Sequence, residues 1–291
     1  MWKLLQIELF KIFKRPRTYI SFGAVTALVL IIQLGLKIDG QPYIQFMLRD
    51  LSASFDIEGN VLNGYLVCFI ILQLLLVHVP LLITLISADL ISGEANMGTL
   101  RLLLTKPISR TEVILAKFLA ATIYTFLLLI WMAILALVVS IAVFGTDDML
   151  NLKSGYIVQL DKADIFWRYA CAFGFAALAM LTVAALGFFL SIFAENSIGP
   201  IVATMSIIVV FTILSTLDIA IFNTIKPFLF TTHMIGWKGF FDVKVNENNQ
   251  AIIGSIQNLG KVLQAAAVLF IHVIGLLVAS IIVFNKKDIL S

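Results

Sequence analysis

Charge is scarce in this chain: Asp, Glu, Lys and Arg make up 13% of its 291 residues, about half the share usual in soluble domains. Histidine and cysteine are scarcer, with three and two. Cys68 and Cys171 both lie in apolar runs, where a thiol acts as a small hydrophobe, and no disulfide framework can be drawn from them. Paired His or Cys at helical spacing, which metal coordination needs, is missing, so no metal site is expected. The motifs G-x-S-x-G, S-x-x-K and H-E-x-x-H are missing too, which weighs against a hydrolase. The basic residues are scattered and form no tract, so nucleic acid is not an expected partner. A nucleotide loop is also lacking. The stretch GSIQNLGKV, Gly254 to Val262, puts five residues between its glycines where four are needed, and Val262 stands where Ser or Thr would hold magnesium.

What the chain does have is apolar length. Its hydrophobic fraction is 61% and its mean hydropathy +1.05, which identifies an integral membrane protein. A membrane-crossing helix needs about 20 mostly apolar residues, because each adds about 1.5 Å toward a hydrocarbon core about 30 Å thick. Six runs meet that length: 18–36, 61–86, 113–144, 170–193, 198–222 and 262–284. The expected fold is therefore an all-α membrane protein, one transmembrane domain over 1–291, with both termini on the same side. The third run is long enough to tilt or to extend beyond the hydrocarbon. No small-residue cleavage site follows the first run, which is taken as retained.

Lys11, Lys14, Arg15 and Arg17 precede the first run and Lys286 and Lys287 follow the last, so the termini are expected to be cytoplasmic. On that side WKLLQIELFKIFKR has helical amphipathy. Trp2, Leu5, Leu9, Ile12 and Phe13 fall on one side of a wheel, opposite Lys3, Glu8, Lys11, Lys14 and Arg15, with Leu4 and Ile7 out of pattern. Residues 1–17 thus read either as a helix lying in the membrane interface or as an ordinary basic flank, and Pro16 separates them from the first span. The outer loops 37–60 and 145–169 are mixed polar. The loop 223–261 is half apolar, in pieces too short to span, so it is expected to lie at or dip into the outer leaflet.

Ionisable groups at membrane depth are usually functional. His78, His272 and Asp218 are each alone in their segments, the two histidines reading as hydrogen-bonded packing residues and Asp218 as solvated. Small residues crowd the fourth run, among them Ala172, Ala176, Ala184 and Gly187, which suits close helix packing either within the chain or at a subunit interface.

Between the second and third runs, residues 87–112 form a polar elbow. Ser92 and Gly93 are expected to interrupt the second helix. Thr99 can then cap a short helix, LRLLLTK, whose Leu100, Leu103 and Leu104 share a face, and Lys106 and Pro107 end it. Ser109 and Glu112 form a capping box that starts the third span. The elbow is longer than the 2 to 8 residues typical of helix connections, and it reads as either an ordinary helical connection or a stiff docking lever.

The segment SADLISGEANMGTLRLLLTKPISRTEVILAKFLA resembles the signature of the ABC-2 type permeases, which Asp89, Ser92, Gly93, Glu94, Gly98, Thr99, Leu100, Pro107, Ser109, Arg110 and Lys117 match. The six spans, the N-terminal helix, the apolar loop before the last span and the NKKDI ending are similar too, with a further likeness to the subgroup of the nitrous-oxide-reductase maturation permease. The resemblance implies the membrane subunit of an ABC exporter in the bacterial inner membrane. Such a subunit dimerises with a second permease subunit, most simply a copy of itself. It is not an enzyme and has no cofactor of its own, since a separate cytoplasmic ATPase binds ATP and Mg. The implied coupling residues are Asp89, Gly93, Glu94, Gly98, Thr99, Leu100, Leu103, Leu104, Pro107 and Arg110, with Glu195 in the turn between spans four and five making a lesser contact. Residues 228–241 would form an outer lid. The expected substrate is amphipathic or lipid-like, and membrane lipids surround the subunit. Copper passage would find no Cys, His or Met cluster. The alternative is an ion-coupled carrier or channel that works without an ATPase.

Overall fold

A computed structural model describes residues 1–52, 61–153, 156–246 and 251–287. Residues 53–60, 154–155 and 247–250 of the expected outer loops and the final DI of the NKKDI ending lie outside them. The chain opens with helix α1 (Trp2–Lys14). Pro16 disfavours helix in the residue before it, and Arg15 is accordingly extended at φ −84° and ψ 133°. Helix α2 starts at that proline and runs to Ser52, well past the span expected at 18–36.

Among the described residues six stretches are long and apolar enough to cross a membrane, and the chain is a multi-pass membrane protein. After α2 come α3 (Gly64–Ser87) and two short helices, α4 (Asp89–Asn96) and α5 (Thr99–Leu104). The third span is α6 (Arg110–Ala133), which passes through a π-helical turn at Ile134–Val139 into α7 (Ser140–Phe144). Such a turn breaks the regular hydrogen-bond ladder. Gln33 of α2, itself buried, donates to Leu135 O at 3.0 Å and to Ser140 Oγ at 2.9 Å. These bonds fasten the first span to the irregular part of the third.

The loop after α7 contains an antiparallel hairpin, β1 (Met149–Lys153) with β2 (Tyr156–Leu160), where the sequence reads only as mixed polar. The fourth span, α8 (Lys162–Ser191), begins earlier than the 170 expected, because Asp161 caps it by accepting from Ala163 N at 2.7 Å. The fifth, α9 (Ile198–Thr216), stops short of the expected 222. A separate short helix, α10 (Ala220–Asn223), follows it, with Asp218 exposed in between, 3.9 Å from Lys226 Nζ. The sixth is α12 (Leu259–Lys286).

Span four is the axis of the bundle, with α3, α6, α9 and α12 packed around it. Its alanines explain the arrangement. Ala172, Ala176, Ala177, Ala179, Ala184 and Ala185 are all buried, so this part of the small-residue cluster serves packing within the chain. A Cβ on Gly187 would lie 2.8 Å from Ser87 Oγ, which measures how closely α3 and α8 approach.

The apolar pieces before the last span fold into a 3-10 turn (Lys226–Phe228), α11 (Phe230–Met234) and a second 3-10 stretch (Ile235–Phe241). They tuck against α8, α9 and α12. Phe230, Trp237 and Phe241 are buried, whereas Phe228 is exposed. Trp237 and Phe241 pack on Phe69 of α3 with ring centres 5.2 Å apart in each case. His78 and His272 each contact the carbonyl four residues back in their own helix, at 2.8 Å. His78 is exposed on the outside of the bundle, so it is hydrogen-bonded but is not a packing residue.

Candidate functional site

The polar elbow lies at the end of the bundle that carries α1 and the last turn of α12. Ser92 and Gly93 do not interrupt the second helix as expected. Ala88 is itself helical, and the chain continues from α3 through α4 as far as Asn96. The break comes at Gly98, whose φ of 71° is strained for any residue with a Cβ. Gly98 is also the N-cap of α5, so Thr99 caps nothing; its hydroxyl donates back to Glu94 O at 3.3 Å. Ser109 and Glu112 form the expected capping box, with Glu112 N donating to Ser109 Oγ at 3.2 Å and Ser109 N donating to Glu112 Oε2 at 3.3 Å.

The leucine face turns inward. Leu100 is buried and Leu103 and Leu104 are half-buried, while Met97, Arg101, Leu102, Lys106 and Pro107 are exposed. Leu100 and Glu94, both among the implied coupling residues, are thus packed inside the chain. A helical repeat shows which residues share a face but not which way that face looks.

Glu94 enters a closed ring of four charges. Lys117 Nζ lies 2.9 Å from Glu8 Oε2 and 2.8 Å from Glu94 Oε2, while Lys11 Nζ lies 2.8 Å from Glu8 Oε1 and 2.7 Å from Glu94 Oε1. Lys117 is the seventh residue after Arg110, hence about 10 Å along α6. The ring joins three separate elements, α1, α4 and α6. It also reverses part of the expected wheel: Glu8 faces inward with Leu4, Leu5 and Ile12, whereas Trp2 is exposed. The partial burial of Lys11 works against its charge, but the two carboxylates outweigh that and hold its pKa above the ordinary lysine value.

One turn earlier, Asp89 gathers the neighbouring ends. It accepts from Arg15 in the α1–α2 joint, from Arg17 at 3.1 Å, and from the Ser197 hydroxyl just before α9. A Cβ on Gly93 would fall 2.8 Å from Asp89 Cγ, so glycine here gives the carboxylate its place. Arg110 is occupied at the end of the last span, donating to Asn285 O at 3.2 Å and Lys287 O at 2.7 Å. Lys287 in turn donates to Ile192 O at 2.6 Å, at the end of α8. Cations are favoured at such carbonyl-rich helix ends.

Glu195 is exposed in the turn between α8 and α9. With Gly98, Leu100, Arg101, Ala194 and Lys287 it lines an open cavity of about 370 Å³. The elbow and the four–five turn therefore share one concave surface. Among the residues that shape this end, the sequence assigns Glu8, Lys11, Arg15 and Arg17 only to the polar side of the first helix or its basic flank, marks Lys117 only as a motif match, and does not single out Ser197. A lysine inside the apolar run 113–144 was a signal for a buried partner. Glu8 gave none, because its inward orientation depends on a lysine more than a hundred residues away.

At the opposite end a second buried pair holds the segment before span six. Asp164 and Arg168 of α8 form an ion pair, and Arg168 donates to Phe240 O at 2.6 Å and Ser255 O at 2.9 Å. Gly254 N donates to Asp164 Oδ1 at 3.0 Å. Among the described residues no group of three or more His, Cys, Asp or Glu is placed to hold a metal ion.

A family model described as ABC-2 family transporter protein matches residues 18–289. Among curated proteins the chain is similar to the uncharacterized protein YhcI of Bacillus subtilis (strain 168), at 25% identity over 151 residues. The similarity spans 50% of this chain and 47% of YhcI, about half the length of each.

Proposed function

The chain belongs to the ABC-2 family of transporter proteins, and from that premise we propose that it is the membrane subunit of an ATP-driven exporter. In this reading the end bearing α1 and the elbow is cytoplasmic, in a bacterial inner membrane. A separate ATPase binds ATP and Mg there and docks on the elbow. The subunit dimerises, most simply with a second copy, and moves an amphipathic or lipid-like substrate.

The observation that carries the reading is the bracing of the elbow. Glu94 is tied to α1 and α6, and Asp89 to the α1–α2 joint and the start of α9. A push on the α4–α5 crosspiece would reach four spans without a flexible joint to absorb it. Asp89, Gly93, Glu94 and Leu100 then act as positioning residues inside the chain. The contact surface is the exposed set Met97, Arg101, Leu102, Lys106 and Pro107, with Glu195 across the cavity.

The test is ATPase turnover of the full chain reconstituted with the ATPase that co-purifies with it. Leu102→Glu puts a charge on an exposed apolar contact and should reduce stimulation by the chain on the order of tenfold or more with an unchanged Tm. Full stimulation in that variant would overturn the docking assignment. The competing reading is an ion-coupled carrier, and it would gain support from gradient-driven transport in liposomes containing this chain alone.

A further inference from the structure

Helix α1 has two faces of opposite character. The inward face carries Leu4, Leu5, Glu8 and Ile12, all buried. The outward face carries Trp2, Lys3, Gln6, Ile7, Phe10 and Lys14, all exposed, with Trp2 at 69% and Phe10 at 65%. Glu8 is the one acidic residue of α1, and it is 2% exposed with its carboxylate held by Lys11 and Lys117. Withdrawing that acid leaves an outward face with cations and no anion. Lys14 extends over the Phe10 ring, its Nζ 5.3 Å from the ring centre, so aromatic and ammonium groups occupy the same patch.

The patch is continuous with the first membrane span. Only Arg15 separates α1 from α2, whose first turns expose Tyr19 and Ile20 at 62% and 60%. A helix joined this closely to a span lies at the level of the bilayer surface, where aromatic rings settle near the headgroups and lysines reach toward phosphates. We propose that the outward face of α1 binds anionic phospholipid, with Trp2, Ile7 and Phe10 in the headgroup boundary and Lys3 and Lys14 on the lipid phosphates. The inward face of the same helix holds Glu94 through Lys11 and, by way of Glu8, orients Lys117. The lipid surface is thereby placed one helix diameter from the elbow.

The assay needs no ATPase, so its outcome is separate from that of the proposed transport coupling. A fluorophore is attached at Gln6→Cys in the full chain carrying Cys171→Ser; Cys68 is buried and does not react. The chain is reconstituted in vesicles containing equal fractions of doxyl-labelled phosphatidylglycerol or doxyl-labelled phosphatidylcholine. Each lysine near an anionic surface should enrich the charged lipid by about fivefold. The expected result is stronger quenching by phosphatidylglycerol, lost in Lys3→Gln/Lys14→Gln and weakened at high salt. Lys3 and Lys14 are both exposed, so their replacement leaves the core intact. Equal quenching by the two lipids, quenching by neither, or a preference that survives the double substitution would overturn the proposal.

Discussion

Lys117 and Glu94 lie 2.8 Å apart, with side chains only 1% and 4% exposed, one on the third span and the other on the elbow. Burying an ion costs several kcal/mol even after relaxation, and a good pair repays that only when both partners are present. Removing one partner should therefore do more harm than removing both. Glu94→Gln alone should cost about 3 to 5 kcal/mol, because Lys117 keeps a single carboxylate. Glu94→Gln with Lys117→Met leaves Glu8 and Lys11 as a neutral pair and should return to within about 1 kcal/mol of wild type. Thermal unfolding in detergent across the double-mutant cycle measures the difference. Additive losses would mean that the ring is not one unit.

Gly93 and Asp89 make a second linked pair. Any side chain at 93 meets the Asp89 carboxylate, which Arg15, Arg17 and Ser197 hold from the other side. Gly93→Ala should displace the carboxylate and release the α1–α2 joint, with a loss on the order of 1 to 2 kcal/mol; the exposure of Arg17 limits what its own pair adds. Once Asp89→Ala is present, the alanine at 93 has no carboxylate to displace and should cost much less. The comparison is the Tm of the two single variants and the double variant, and a full loss from the alanine in both backgrounds would show that the contact does not matter.

Lys11 makes the anchoring of α1 sensitive to alkaline pH, which weakens it. Its pKa in the folded chain is raised above the roughly 10.4 of an unfolded lysine. A raised pKa contributes stability that is complete below the unfolded value and lost as pH climbs through the folded one. Docking of α1 should thus be flat between about pH 6 and 9 and weaken only above about 10.4. A thiol introduced at Ile12, buried beneath the helix, should be protected from labelling over the flat range and become reactive in the alkaline one. Early reactivity near pH 8 would contradict the assignment.

Much of this architecture was legible because its causes are local. A spanning helix must be apolar almost all round, so runs such as 61–86 and 262–284 declare themselves, and the Ser109–Glu112 box sets the start of α6 from residues three apart. What was not legible depends on distant partners. Leu100, Leu103 and Leu104 lie on one side of α5, but only its packing reveals that this side looks inward. The helix runs through Ser92 and Gly93 because the carboxylate of Asp89 fits over the missing side chain. The fifth span ends early, at Thr216, and Ser215 there contacts Thr231 and Thr232 of the following segment at 2.9 Å in each case, contacts that no local pattern announces.

The stretch GSIQNLGKV, discarded as a nucleotide loop, has a structural role in the clasp at the opposite end. Gly254 has a φ of 74° and gives its N–H to Asp164, and the next carbonyl, of Ser255, accepts from Arg168. Arg168 also holds Phe240 O, so one buried guanidinium grips the segment before span six at two places. Lysine has a single ammonium and cannot reproduce that fork. Arg168→Lys should lose about 2 to 4 kcal/mol, because each charge-assisted bond is worth about 1.5 to 3 kcal/mol and the buried carbonyls are left without donors. A cysteine at Ile256 should then label faster than in the parent while the Tm of the six-span core falls only in proportion to that loss. Gly254→Ala, strained at its positive φ, should raise labelling in the same direction. If neither substitution changes the labelling rate, the segment is held by Trp237 and Phe241 packing alone and the clasp has no mechanical part in retaining it.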